Sequence, residues 1–90
     1  MIVEWDLGKA ESNLKKHGVS FEEAQSVLFA EASIELEDRS HSEVRFIIIG
    51  FSKLTRLLTV VYAYKDEDKI RIISARKATK KEAHQYEKRI

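Results

Sequence analysis

Apolar positions in the first third of the chain recur at helical spacing, and in the remainder they alternate. "MIVEW" at residues 1–5 alternates weakly and predicts a short first strand. Leu7, Ala10 and Leu14 are then spaced by three and four, which predicts a helix from Asp6 to about His17. Asp6 is its N-cap, and Gly18 is placed to end it in the left-handed conformation. Ser20 opens a second helix running to about Ala30, with Glu23 completing an S-x-x-E capping box. Phe21, Ala24, Val27 and Leu28 form its buried stripe, and Val19 packs on Ala24 as a weak staple.

From residue 33 the period changes to two. Residues 33–38, 43–51, 56–64 and 69–77 read as strands, the last three rich in the β-branched and aromatic residues that strands favour. "RSHS", "SKLT" and "KDED" are the turns between them. Thr79 and Glu82 make a T-x-x-E capping box for a closing helix from 80 to about 89. The order is β-α-α-β-β-β-β-α: an α+β domain whose strands form an antiparallel meander with the helices packed on one face. Strict alternation sends Arg71 and Arg76 to opposite faces. Both faces of the later strands are apolar near their middles, whereas a sheet covered on one side has a wetter second face. The second face is therefore expected to be covered as well, for instance by a partner protein.

Ninety residues amount to one domain spanning 1–90, and 43% apolar residues supply a core. The absence of cysteine rules out disulfides and thiolate metal sites. The three histidines, at 17, 41 and 84, lack metal-ligand spacing, so no cofactor is expected. No apolar run approaches a membrane span, and the N-terminus does not read as a signal peptide. The expectation is a cytoplasmic protein that does not engage a membrane. Charge adds a polarity: residues 1–42 carry nine acidic and four basic residues, net −5, while residues 43–90 carry six and twelve, net +6. Such asymmetry can turn a positive face toward an anion, or cancel if the two halves interleave.

Three constellations could carry chemistry. Arg45, Arg56, Arg71 and Arg76, with Tyr62 and Tyr64, combine guanidinium forks suited to phosphate with rings suited to base stacking. On strands they would make an RNA-contacting surface. The plainer reading, favoured for any one arginine, is a structural ion pair. "DRSHSE", with Asp38, Arg39, His41 and Glu43, offers His41 for proton transfer in metal-free RNA cleavage, with arginines stabilising the phosphorane. By sequence alone His41 is more simply a solvated turn residue. Lys9, Asn13, Lys16 and His17 lie along the first helix; Lys9, Asn13 and His17 share a stripe beside the apolar face, which reads most simply as a solvated edge, with Lys16 and His17 interacting with the helix dipole. Trp5 reads as core. No phosphate-loop, nucleophile-elbow, zinc or calcium motif is present.

"EWDLGKAESNLKKHGVSFEEA" at 4–24, "H-x-E-x-R" at 41–45, Gly50 and "RIISARKAT" at 71–79 together resemble the BrnT family, toxins of bacterial type II toxin–antitoxin modules. The resemblance implies a RelE-like ribonuclease fold, RNA cleavage that arrests translation, and neutralisation by a BrnA-like ribbon-helix-helix antitoxin. It also implies that operator DNA is engaged indirectly, through the antitoxin. The family's polar motif positions fall on Lys9, Asn13, Lys16, His17, His41, Glu43, Arg45, Arg71, Ser74 and Arg76. The family pattern has Gly-Arg where this chain has Thr55-Arg56, and Glu-Arg where it has Tyr64-Lys65; the second change either removes an RNA-contacting arginine, and activity with it, or shifts its work to Lys65. On this basis His41, Arg45, Arg71 and Arg76 are the catalytic candidates. Arg56, Tyr62, Tyr64, Lys65, Lys9, Lys16 and His17 are the RNA-binding ones. The alternative is an inactive relative that only binds an antitoxin and acts as a co-repressor.

Overall fold

The computed structural model describes residues 1–38 and 43–90. The elements are β1 (Ile2–Glu4), α1 (Leu7–His17), α2 (Phe21–Leu28), β2 (Ile34–Asp38), β3 (Arg45–Phe51), β4 (Leu57–Asp66), β5 (Lys69–Lys77) and α3 (Lys80–Arg89). Their order is the one the periodicity predicts, and each helix begins at its predicted cap. Asp6 accepts from the Lys9 amide at 2.9 Å, Ser20 from Glu23, and Thr79 from Glu82 within a complete capping box. Gly18 ends α1 with φ +69°, a conformation that costs glycine nothing.

The sheet has five strands in the order β1-β5-β4-β3-β2. Strands β2 to β5 form the expected antiparallel meander. β1 departs from it: it adds to the outer edge of β5 in parallel, pairing Val3 with Ile70 and Glu4 with Arg71. The sheet is therefore mixed. A parallel partner requires a long crossover, and here the whole span from α1 to β4 supplies it.

The α+β class holds, but a second detail of the expected RelE-like arrangement is corrected too. Helices α1 and α2 cover one face, which carries the main core of Phe21, Val27, Ile48, Leu58, Val60, Ile72 and Ala75, with Val3 and Trp5 packed against it. Gly50 allows the closest approach there, since a Cβ at that position would meet the Ser33 Cβ at 3.0 Å and Val27 at 3.3 Å. α3 packs on the other face, where Tyr86 joins Ile34 and Ile49, and its hydroxyl donates to the Ala32 carbonyl at 2.5 Å. That second face is thus covered by the chain itself, but only at one end. The next row along it, Leu36, Ile47, Val61 and Ser74, stays half-buried.

Candidate functional site

The partly uncovered face owes its arginines to an irregularity in β5. Val61 pairs with Ser74 but Tyr62 with Ile72, so Ile73 is an extra residue bulged out of the ladder. A bulge reverses the alternation beyond it. Burial shows the slip: Ile70, Ile72 and Ala75, even, even and odd, all enter the helix-side core. Arg71, level with Ala63, and Arg76, level with Thr59, consequently share the opposite face. Strict alternation had separated them, and the bulge corrects that expectation.

Arg45 belongs to this face as well. Asp38 pairs with Arg45, and one residue beyond the Phe46–Tyr62 pair Arg45 comes level with Ala63. A single row therefore crosses the sheet: Asp38, Arg45, Ala63, Arg71 and Glu4. Neighbouring strands are ~4.8 Å apart, so the two arginines spring from points roughly 10 Å apart on either side of a small residue. Ala63 is buried.

Each of the four arginines has a carboxylate partner, and the partnerships differ in kind. Arg76 grips Glu82 with both prongs, at 2.6 and 2.9 Å. Glu82 also accepts from the Thr79 amide and the Thr59 hydroxyl. Its carboxyl is held down at about 2, chiefly by the hydrogen bonds from Arg76. Arg56 is engaged as fully, but elsewhere. It grips buried Glu23 through Nη2 and through Nε at 2.9 Å, and donates to the Gly18 carbonyl at 3.0 Å. These hydrogen bonds from Arg56 are the main reason the Glu23 carboxyl lies below the usual carboxylate range. Ser52 donates to the same carboxylate at 2.6 Å. Glu23 thus does not close the predicted capping box of α2, because Arg56 and Ser52 take its oxygens.

Arg45 and Arg71 are held more lightly. Arg45 donates from Nε to Glu43 at 3.2 Å, and that glutamate side chain is 58% exposed. Arg71 reaches Glu4 at 3.2 Å, with the two side chains 40% and 34% exposed. Exposed pairs of this kind contribute about 0–1 kcal/mol, so an arriving phosphate can compete for them. A buried pair broken on one side leaves an uncompensated charge, and costs far more.

The remaining predicted residues divide. Lys9, Lys16 and His17 on α1 line an open groove of about 510 Å³ with Asp6, Ser12, Ile73 and Ser74. β1 pairs β5 only as far as Arg71, so the groove runs along the part of the β5 edge left unpaired. Asn13 at its floor is structural: it takes both the Ala75 carbonyl, at 2.8 Å, and the Ala75 amide, at 3.2 Å, as a neighbouring strand would. Ser74 lines the groove and also belongs to the half-buried row of the open face, so the two surfaces meet at β5.

Tyr62, Tyr64 and Arg56 lie away from this surface. Tyr62 is in the core, stacked on Phe46 with its hydroxyl on Glu35 at 2.8 Å. Burial first, and Glu35 second, push that hydroxyl well above its usual range. Its ring is not free to stack on a base. Tyr64 is half exposed but sits with Phe46 and Tyr62, on the side away from the arginine row. Lys65 is exposed at a second irregularity of β4. Arg56 ties the hairpin to the helices, on the side away from the arginine row. His41 lies outside the described residues. Sequence reasoning missed Glu4 as a member of the row. The signal available for the bulge was the adjacent pair Ile72-Ile73, where alternation stalls.

Among the described residues no three of His, Asp and Glu are grouped as a metal would need, and no helix is long and apolar enough to cross a membrane.

Residues 5–82 match the family model described as "Ribonuclease toxin, BrnT, of type II toxin-antitoxin system". The crystal structure of the Brucella abortus ribonuclease toxin BrnT is similar with a TM-score of 0.67 and 22% sequence identity, over 89% of this chain and 99% of that one. That likeness is one of fold. No curated protein sequence matches.

Proposed function

This chain belongs to the BrnT family of ribonuclease toxins of type II toxin–antitoxin systems, and from that premise we propose that it is an endoribonuclease acting on its open sheet face. Arg45 and Arg71 bind the scissile phosphate and its neighbour and stabilise the charge that develops in the transition state. Arg76 adds positive potential from its fixed place on Glu82. Lys9, Lys16 and His17 guide the strand along the groove, and His41 is a candidate for proton transfer. Cleavage proceeds without a metal, because guanidinium groups supply the cationic stabilisation that a metal would otherwise provide. In the cytoplasm the outcome is arrested translation. A BrnA-like ribbon-helix-helix antitoxin neutralises the protein and carries it to operator DNA.

The observation that carries this reading is the row itself: two lightly held arginines flank Ala63 on one face, with a third cation alongside. Cleavage of an oligoribonucleotide by the purified protein, with and without a chelator, tests it. Equal rates in both conditions are expected. Intact RNA, or cleavage abolished by the chelator, contradicts it.

A second reading has its own support. Every arginine of the set already faces a carboxylate, and Tyr64-Lys65 replaces the family's Glu-Arg pair. In that reading the chain is an inactive co-repressor module. Expression of the chain alone in a bacterium separates the two: growth arrest with RNA decay favours the nuclease, and unimpaired growth the module.

A further inference from the structure

The cleavage chemistry needs a base for a ribose 2′-hydroxyl, and the arginine row ends in a carboxylate that the sequence did not single out. β1 runs parallel to β5 and brings Glu4 level with Arg71 on the open face. Its Oε2 lies 3.2 Å from Arg71 Nη2 and its Oε1 3.7 Å from Lys69 Nζ. Glu4 is the last residue of β1, and two residues later Asp6 begins the wall of the groove. It therefore stands where the groove that would guide a strand opens onto the arginine-bearing face.

We propose that Glu4 is the general base of the cleavage reaction, taking the proton from the 2′-hydroxyl next to a phosphate held by Arg71. The inference rests on the ribonuclease reading above. Other carboxylates paired with these arginines are less suited. Glu82 already accepts from Arg76, Thr59 and Thr79. Glu23 is buried on the helix side. Glu43 lies outside the strands, on Arg45, and is the most exposed of the set. Glu4 and Arg71 are also half-exposed partners whose ion pair contributes little to folding. An incoming phosphate that displaces Glu4 from Nη2 occupies the fork and leaves a carboxylate oxygen a hydrogen bond away from the adjacent ribose. An ionised carboxylate only accepts, so the hydroxyl must donate to it.

The step balances without further reagents. The 2′-oxygen gives its proton to Glu4 and forms a bond to phosphorus. The bond from phosphorus to the 5′-oxygen breaks, and the 5′-oxygen keeps the electron pair and takes a proton from water. The products are a 2′,3′-cyclic phosphate and a 5′-hydroxyl, and Glu4 then returns its proton to solvent.

The test uses the whole chain with Glu4→Gln and Glu4→Asp variants, an oligoribonucleotide as substrate, and its 2′-O-methyl form as a binding probe. A lost general base costs ~10²–10⁴-fold in rate, so Glu4→Gln should lose at least about 10²-fold while binding the methylated probe as tightly as wild type. Its rate should also lose the acid-side pH dependence that wild type and Glu4→Asp keep, and wild-type products should end in cyclic phosphate. A Glu4→Gln protein that cleaves within a few-fold of wild type overturns the proposal, and so does one that is slower but keeps the acid limb; both leave the ribonuclease reading standing. Wild-type protein that leaves RNA intact overturns both.

Discussion

Arg71 and Arg76 lie five residues apart on one strand and share one face of the sheet, because Ile73 is bulged out between them. Their partnerships nevertheless assign them different duties. Arg71 holds a half-exposed glutamate through one contact, while Arg76 is clamped by two hydrogen bonds to a carboxylate that also caps α3. Arg71→Ala should therefore lower RNA cleavage by about 10²–10³-fold and shift stability by less than ~1 kcal/mol. Arg76→Ala should show its largest effect in denaturant melts. Equal losses of activity and stability in both variants would contradict this division.

The Arg56–Glu23 pair should behave as a tether of the fold. Glu23 is 3% exposed and depends on Arg56 and Ser52. Arg56→Ala leaves that carboxylate with Ser52 as its remaining side-chain donor, and should destabilise the fold measurably. Glu23→Gln in the same background removes the stranded charge and should recover part of the loss. Urea titrations of the two single variants and the double variant check this. An Arg56→Ala variant whose urea midpoint matches that of wild type would show that the pair is dispensable.

Acid should release the α3 clamp. Glu82 titrates at about 2 in the folded protein, below its ordinary value of 4.5. A depressed carboxylate stabilises the fold fully above its unfolded value, and that contribution is lost as pH falls toward the folded one. Glu82→Gln should therefore be less stable than wild type at pH 7, with the gap shrinking between pH 4.5 and 2. Thermal melts across that range report it, and a gap independent of pH would rule out the linkage.

Thr55 carries a strained backbone. Its φ of +62° lies in the left-handed region, which a β-branched residue seldom occupies. Glycine adopts it freely, and the left-handed conformation costs other residues roughly 1–2 kcal/mol. Thr55→Gly gives back part of that through the extra freedom of the unfolded chain, so a net gain of ~0.5–1 kcal/mol is expected. A destabilised variant in calorimetry would show that the Thr55 hydroxyl bond to the Leu54 carbonyl outweighs the strain.

What was legible in the sequence is what short-range chemistry controls. Asp6, Ser20 and Thr79 mark helix starts because their oxygens reach amides three residues on. Gly18 marks a stop because it alone tolerates its φ without cost. Strand limits followed from alternation, and for β5 and α3 the predicted bounds match the observed ones. Family membership was legible too, since it rests on ordered motifs. Arg45 and Arg71 could be named as candidates from residue type alone.

Tertiary structure decided everything that depends on which atoms meet across long loops. β1 joins β5 in parallel because the crossover returns to that edge, and only this sets Glu4 beside Arg71. Glu23 could cap its helix or hold Arg56, and a residue 33 positions away settled the choice. α3 chose the opposite face, and Tyr62 turned inward toward Glu35. The bulge at Ile73 changes one step of one strand, yet it moves Arg71 across the sheet. A local pattern records propensity, which falls off within a few residues. A shared surface for arginines on separate strands depends on register, and register is fixed only when the whole sheet packs.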